Sequence, residues 1–148
     1  MFDKLVKRDL SPIIIGLILN IHKRQKFQIK WNGVISERFG VSNGVRQGGV
    51  MSPILFGIYI DELLLELKQK GIGCHVGHYF CGAFGYADDI VLLCPTITGL
   101  KKMIKTCETY ARIHNITFNG TKSKLLTFGK SYETPDIYVN DKMVQKFI

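Results

Sequence analysis

The sequence is poor in the residues that build disulfide-rich or proline-rich proteins. It has four cysteines, four prolines and one tryptophan among 148 residues. The cysteines are Cys74, Cys81, Cys94 and Cys107, and no two of them form a Cys-x-x-Cys pair. We therefore expect reduced thiols and an intracellular protein, located in the cytoplasm, the nucleus or both.

A long apolar run is also missing. The run Ile13–Ile21 is interrupted by Gly16 and Asn20, and it is too short to cross a bilayer. It is followed by a basic stretch and has no small-residue cleavage site, so it does not fit a signal peptide. We expect a buried helix here and no membrane partner.

Acidic residues are few for a chain of this size. Twelve Asp and Glu stand against 20 Lys and Arg, which gives a formal charge of +8. A basic surplus on a folded domain favours a polyanionic partner such as nucleic acid. The hydrophobic fraction of 46% is typical of a globular protein, and we predict a single domain over residues 1–148.

The segment Phe84–Leu93 carries the strongest chemical signal. Two apolar arms, Gly82–Tyr86 and Ile90–Leu93, flank the pair Asp88-Asp89, which predicts a hairpin with two carboxylates at its tip. Adjacent carboxylates repel each other, so a bound cation stabilises them, and an all-oxygen donor set suits Mg²⁺. The alternative is that Asp-Asp only forms a turn, since Asp favours turns.

A second motif lies upstream, in the glycine-rich segment Gly44–Pro53. Glycines allow a backbone to approach a ligand closely, Gln47 offers a donor and acceptors, and Arg46 offers a fork for phosphate. The segment ends where a helix begins, and helix N-termini favour anions. The alternative is a plain loop before a capped helix.

The pattern of the whole chain predicts an α+β fold, an antiparallel sheet with helices packed on one face. Helices are predicted at Pro12–Lys26 and Ser52–Lys70, and from the Thr96 cap to His114. Strands are predicted at Phe27–Trp31, Val34–Phe39, Ile72–Phe80, Gly82–Tyr86, Ile90–Leu93, Ile116–Phe118, Lys124–Phe128, Asp136–Val139 and Met143–Ile148. The turns Asn32-Gly33 and Asn140-Asp141 predict hairpins.

Two further features have competing interpretations. The spacing of Cys74, His75, His78 and Cys81 invites a zinc site, but in a strand these side chains alternate between two faces, which disfavours tetrahedral ligation. Trp31 lies among basic residues and is able to stack on nucleic acid. Packing of Trp31 within its own hairpin is the interpretation that we favour.

Three segments together resemble the reverse transcriptases of non-LTR (LINE-type) retrotransposons. They are GVRQGGVMSPILFGIYIDELL at 44–64, YADDIVLL at 86–93 and FNGTKSKLLTFG at 118–129. The stretch FDKLVKRDL at 2–10 is similar to the end of the family's first polymerase motif. The resemblance implies a right-hand polymerase palm with part of the fingers, truncated at both ends.

The resemblance also implies roles for single residues. Asp88 and Asp89 match the metal-binding carboxylates, with Asp88 as the main ligand. The loop at Arg46, Gln47 and Gly48 matches the one that positions nucleotide and template. Phe2 matches the residue that selects deoxynucleotides, and Tyr86 lies near the primer end. Lys122 matches a lysine that protonates pyrophosphate, with Lys124 as an alternative. The competing interpretation of both lysines is a solvated charge at the end of a strand.

The implied reaction is the joining of deoxynucleoside triphosphates to the 3′-OH of a DNA primer on an RNA template, with Mg²⁺, or alternatively Mn²⁺, as the cofactor. The rest of a parent polyprotein (thumb, fingers and an endonuclease) is an implied partner. The family pattern has another catalytic Asp before the residue that Phe2 matches, so we expect the isolated chain to be inactive. The alternative function is an inactive relic that at most binds nucleic acid.

Overall fold

A computed structural model describes residues 2–41, 48–129 and 135–147, and the chain divides into two compact units, Met1–Ile60 and Asp61–Ile148. Within these ranges the helices are α1 to α4, at Phe2–Val6, Pro12–Lys23, Ser52–Lys70 and Ile97–His114. The strands are β1 to β12, at Lys26–Phe27, Lys30–Trp31, Val34–Ile35, Phe39–Gly40, His75–Val76, Tyr79–Phe80, Ala83–Tyr86, Asp89–Leu92, Lys124–Leu126, Tyr138–Val139, Lys142–Met143 and Gln145–Phe147.

The core of the first unit is small. Leu5, Ile18 and Leu55, from α1, α2 and α3, are buried together. The prediction of a buried helix at Ile13–Ile21 is wrong, because Ile13 and Leu17 are 83% and 60% exposed. Helix α2 starts at Pro12, as predicted, because proline suits the first helical position. It ends at Lys23 rather than Lys26, because Lys26 already pairs with Gly40 in the β1–β4 ladder.

A buried lysine links α1 to α3 in the same unit. Lys4 is only 6% exposed, and its ammonium donates a 3.1 Å hydrogen bond to the carbonyl of Tyr59. The same ammonium lies 4.9 Å from the centre of the Tyr59 ring. The cation is therefore compensated by a carbonyl dipole and by an aromatic face, which is how a buried charge is tolerated.

The predicted hairpin at Asn32-Gly33 is confirmed. Strands β2 and β3 pair Trp31 with Val34, and both turn residues have positive φ, 45° and 81°, as a type I′ turn requires. The predicted packing of Trp31 is wrong, because its side chain is 80% exposed. Every residue from Trp31 to Gly40 is exposed, so this hairpin offers the indole no packing surface within the described chain.

The second unit is built on α4 and the C-terminal half of α3. Leu63 and Leu67 of α3 are buried against Met103, Cys107 and Tyr110 of α4. The predicted end of α3 is confirmed by a left-handed residue, Gly71, with φ of 63°. An ion pair joins Glu66 and Lys70 at 2.8 Å on the surface of the same helix.

Helix α4 has the termini that its sequence predicts. The Thr96 hydroxyl accepts a 3.1 Å hydrogen bond from the backbone amide of Gly99, and Asn115 caps the other end with a left-handed φ of 53°. Leu100 and Ile104 of the same helix pack against a separate cluster. That cluster consists of Leu125, Ile137 and Val144.

The predicted strand Ile72–Phe80 is wrong. The segment folds into a hairpin, in which β5 pairs with β6 around Gly77-His78, because Gly77 adopts a φ of 60° that reverses the chain. The alternation argument about zinc ligands therefore does not apply to this segment. Within the described ranges, no three His, Cys, Asp or Glu side chains cluster as a metal site.

The predicted strand Ile116–Phe118 is also wrong. The amide of Ile116 is used by the helix end, where it donates to the carbonyl of Ala111, and the carbonyl of Phe118 accepts from the side chain of Asn140 at 2.6 Å. The predicted strand at Lys124 is present as β9. It pairs in parallel with β12, which no local sequence signal indicated.

The α+β class is confirmed. The described strands form six two-stranded ladders, of which the β9–β12 ladder is parallel and the others are antiparallel. In the second unit, one face of the β7–β8 hairpin packs on the core formed by α3 and α4. No described helix has the length and hydropathy that a membrane crossing demands.

Candidate active site

The two adjacent aspartates lie at the tip of the β7–β8 hairpin, as predicted. The ladder runs from the pair Ala83 and Leu92 to the pair Tyr86 and Asp89, so Ala87 and Asp88 form a two-residue turn. Asp88 is thus the second residue of the turn, and Asp89 is the first residue of the returning strand. The local sequence folds this way because aromatic and β-branched residues flank a short polar turn.

The two faces of this hairpin have different environments, because side chains alternate along a strand. The inner face packs on the core through Ala83, Ile90 and Leu92, and it includes Gly85. The outer face carries the exposed side chains of Phe84, Tyr86, Asp89 and Val91. Core packing therefore fixes the strand register that presents Asp89 and Tyr86 to solvent.

The turn itself is conformationally restricted. Ala87 has a φ of 50°, in the left-handed region that costs a residue with a Cβ about 1–2 kcal/mol. A positive φ at the first central residue is the mark of a type II′ turn, a position where glycine is usual. The strained conformation persists because the flanking ladder and the packed inner face hold both arms in place.

Both carboxylates at the tip are exposed and available. Neither Asp88 nor Asp89 forms an ion pair or a side-chain hydrogen bond anywhere in the described part of the chain. The donor set is entirely oxygen, which suits a hard divalent cation that keeps much of its shell for phosphate and water. Among the described residues no third His, Cys, Asp or Glu lies close enough to form a metal site with them. In this part of the chain, the ligands for such an ion are therefore these two carboxylates.

The glycine-rich loop is described only in part. Arg46 and Gln47 lie outside the described residues. Gly48 is exposed and has a φ of 76°, with open space where a Cβ would stand. The backbone at Gly48 therefore has the conformation for which glycine is suited, and its predicted role at nucleotide and template stays a prediction.

The other end of the first unit also contains a predicted site residue. Phe2 is the first residue of α1, and its side chain lies outside what the structure describes. Its predicted role in selecting deoxynucleotides stays a prediction.

Lys122 lies in an ordered turn before β9. Its backbone amide donates a 3.1 Å hydrogen bond to the side-chain oxygen of Asn119, and the Ser123 hydroxyl donates to the Asn119 carbonyl at 2.9 Å. The Lys122 side chain is exposed and makes no contact with a described partner. In contrast, the ammonium of Lys124 lies 5.0 Å from the centre of the Phe147 ring.

Asn119 is the residue of this region that the sequence reasoning missed. Its side chain mimics a backbone turn, as Asn often does two or three residues before the amide that it binds. The signal was present in the sequence as Asn119 standing three residues before Lys122. The exposed outer face at Phe84 and Val91 was missed as well, although the strict alternation of β7 and β8 could have revealed it.

The comparisons with known proteins identify the family. The family described as reverse transcriptase (RNA-dependent DNA polymerase) matches residues 7–144. Over 122 residues the chain is 32% identical to the "Retrovirus-related Pol polyprotein from type-2 retrotransposable element R2DM" of Drosophila melanogaster, covering 82% of this chain and 11% of that protein. It is 30% identical over 100 residues to the "Retrovirus-related Pol polyprotein from type-1 retrotransposable element R2" of Popillia japonica, covering 67% and 14%.

A third relative extends the match over nearly the whole chain. The "Probable RNA-directed DNA polymerase from transposon X-element" of Drosophila melanogaster is 24% identical over 143 residues, covering 92% of this chain and 15% of that protein. The chain thus spans between 11% and 15% of the length of these three curated relatives. The family resemblance drawn from the motifs is confirmed, and the chain belongs to the reverse transcriptases of non-LTR retrotransposons.

Proposed function

We propose that this chain forms the palm of an RNA-directed DNA polymerase, which joins deoxynucleotides to a primer 3′-OH on an RNA template. The observation that carries the proposal is the pair of carboxylates, Asp88 and Asp89, which have no partner among the described residues and lie at the tip of a hairpin whose inner face is packed. Such a tip fixes the backbone from which two anionic oxygen donors extend, and phosphoryl transfer depends on donors that are positioned in advance.

Reverse transcriptases use divalent metal ions, and Mg²⁺ is the ion we propose here, because both donors are carboxylates. Asp88 is the main ligand and Asp89 the supporting one. When bound, Mg²⁺ activates the attacking hydroxyl and stabilises the charge of the leaving pyrophosphate.

The outer face of the β7–β8 hairpin supports the primer end in this proposal. Tyr86 is 84% exposed and lies across the ladder from Asp89, so the two side chains extend from the same face of the hairpin. Phe84 and Val91 extend the same face as an exposed apolar surface. Apolar and aromatic side chains of this kind orient a sugar or base without adding charge.

Lys122 is the proposed donor of a proton to the leaving pyrophosphate. The turn at Asn119 fixes its backbone while its ammonium has no partner in the described chain. Lys124 is the weaker candidate, because its ammonium already lies over the Phe147 ring. Phe2, Arg46, Gln47 and Gly48 contact the incoming nucleotide and the template by family resemblance.

The partners in this proposal are an RNA template, a DNA primer, deoxynucleoside triphosphates and the rest of a parent polyprotein. The formal charge of +8 supports a polyanionic partner. The pair of carboxylates without a third ligand among the described residues favours a second candidate, a chain that binds nucleic acid without catalysis. The two candidate functions differ in their need for Asp88: polymerisation requires its carboxylate, and binding of nucleic acid does not.

The test is primer extension on a primed RNA template, with the 148-residue chain and with a longer chain that contains it and has the length of its relatives. We expect activity from the longer chain only, dependent on Mg²⁺, and a loss of at least about 100-fold in its Asp88→Asn variant. Asp141→Asn is the matched control, because Asp141 is also the second residue of a two-residue hairpin turn. It should leave extension unchanged.

Each outcome separates the two candidates. Extension that Asp88→Asn abolishes and Asp141→Asn preserves supports the polymerase. Extension that survives Asp88→Asn contradicts the proposed role of the carboxylates. Binding of RNA by both chains, with no extension from either, supports the non-catalytic candidate instead.

A further inference from the structure

The hairpin Lys26–Gly40 exposes the only tryptophan of the chain. Trp31 is 80% exposed although it lies in the ladder position just before the Asn32-Gly33 turn. Val34, its cross-strand partner on the same face, is 71% exposed. A flat aromatic ring beside a small apolar neighbour, held out on a tight turn, is a surface that a second flat ring system can cover.

The charges around this indole favour a polyanion. Residues 22–41 contain five Lys or Arg and one Glu. The five cations are Lys23, Arg24, Lys26, Lys30 and Arg38. All are exposed, and none has an ion pair or a side-chain hydrogen bond in the described part of the chain. Their charges are therefore available to a ligand that carries several negative charges.

A second hairpin of the same chain provides an internal contrast. Tyr79 is 79% exposed and stands beside the two-residue turn Gly77-His78, so its geometry parallels that of Trp31. No Lys or Arg occurs from Cys74 to Phe84. The exposed ring of Tyr79 thus lacks the exposed cations that lie near Trp31 in the sequence.

Stacked aromatic rings within a basic surface bind single-stranded nucleic acid, because an unpaired base offers a free π-face and its backbone offers phosphates. A surface that binds another protein has few charged residues at its centre, whereas this segment carries five cations that have no partner in the described chain. We propose that Trp31 is a stacking site for a base of single-stranded RNA, with exposed cations of residues 22–41 neutralising the phosphates of the same strand. The choice of RNA rests on the proposed function, whose template is RNA.

The experiment uses the 148-residue chain and a single-stranded RNA of 12 uridines. Deoxynucleoside triphosphates and divalent cations are left out. Because Trp31 is the sole tryptophan, its fluorescence reports contact at this residue directly. We expect saturable quenching by the single strand and none by a 12-base-pair RNA duplex, whose bases are already stacked. Quenching by the corresponding DNA strand alone, with none by RNA, would overturn the assignment.

Variants are compared by the anisotropy of labelled RNA. Trp31→Ala is expected to weaken binding about 5- to 150-fold, and Trp31→Phe to retain most of the affinity because a ring remains. Tyr79→Ala, the matched control, should bind as the unmodified chain does. Single replacements of Lys23, Arg24, Lys26, Lys30 and Arg38 by Gln should reduce the slope of log K against log salt by about 0.7 at each cation that contacts a phosphate, the value of one contact on a single strand.

Two results would contradict the proposal. One is equal affinity of Trp31→Ala and the unmodified chain, and the other is a concentration-dependent blue shift of Trp31 without RNA, which would indicate a protein contact. These measurements need no polymerisation, so a silent polymerase leaves them interpretable. Conversely, an ineffective Trp31→Ala substitution leaves the result of the Asp88→Asn experiment standing.

Discussion

The backbone amide of Lys122 is held 3.1 Å from the side-chain oxygen of Asn119. This hydrogen bond orders the turn from which the lysine side chain extends. We expect Asn119→Ala to lower the free energy of unfolding by about 0.5–1.5 kcal/mol, since one acceptor is lost. Asn119→Asp keeps the acceptor and should be close to the unmodified chain in urea denaturation. Equal stabilities of the Ala and Asp variants would show that the bond contributes nothing.

The left-handed φ of Ala87 leads to a second prediction. Ala87→Gly should raise the free energy of unfolding by about 0.5–1 kcal/mol, because relief of the strain exceeds the extra entropy of glycine in the unfolded chain. Ala83→Gly is the control in strand β7 of the same hairpin, where φ is not positive, and it should lower stability by about 1 kcal/mol. Thermal or urea unfolding of both variants measures this difference, and effects of the same sign would rule out strain at Ala87.

Two helical glycines have opposite surroundings. A Cβ at Gly57 in α3 would meet nothing within 4 Å, so Gly57→Ala should stabilise the chain by about 0.5–1 kcal/mol. At Gly99 in α4 a Cβ would lie 2.5 Å from the Cys94 sulfur and 2.9 Å from the Thr96 hydroxyl oxygen. Gly99→Ala should therefore disturb the helix cap and cost about 1–3 kcal/mol.

Urea denaturation of the two glycine variants provides the measurement, with the m-value checked for constancy. Stabilisation by both substitutions would mean that the Cys94 and Thr96 side chains move aside at little cost. Destabilisation by both would mean that the surface around Gly57 is less open than its surroundings indicate.

Cys107 makes the free energy of unfolding depend on pH in the alkaline range. Burial in the core raises the pKa of its thiol from 9.0 to about 12, and the negative charge of Glu66 adds to the shift. The unfolded chain loses this proton at lower pH than the folded chain, so the free energy of unfolding should fall as pH rises from 9 toward 12. The slope from this one group is about 1.4 kcal/mol per pH unit, and it is absent below pH 9.

The matched variant for this prediction is Cys107→Ala, which removes the thiol and should flatten the decline by that slope. Urea denaturation between pH 8 and 11 measures it. At pH 8 a thiol reagent should modify the part-exposed Cys74, Cys81 and Cys94 before Cys107. Identical pH profiles for the variant and the unmodified chain would contradict the assigned shift.

The sequence predicts those elements of the fold whose signals are local. Asn32-Gly33 specifies a type I′ turn through its own conformational preferences, and Thr96 specifies a helix start through its hydroxyl. The parallel pairing of β9 with β12 could not be predicted in the same way, because it joins Lys124 to Gln145 across an intervening hairpin. The Gly77-His78 turn was missed because a single glycine inside an apolar run is a weak turn signal.

The candidate site shows the same division. The position of Asp88 at a hairpin tip followed from the two apolar arms, and the structure confirms the hairpin. The strain at Ala87 could not be predicted, because alanine has no preference for positive φ and the surrounding ladder imposes it. The exposure of Trp31 was predicted wrongly, because the average tendency to bury tryptophan does not tell which hairpins lack a surface to pack on.

The alternation of the β7–β8 hairpin has a consequence for how its sequence tolerates change. Substitutions of Ala83, Gly85, Ile90 or Leu92 alter how much folded protein exists, since these positions are on the inner face. Substitutions of Phe84, Tyr86, Asp89 or Val91 leave that amount nearly constant and alter what each folded molecule can do. Abundance and specific activity are therefore set by alternate residues of one short ribbon, and a shift of its register by a single residue would lose both at once.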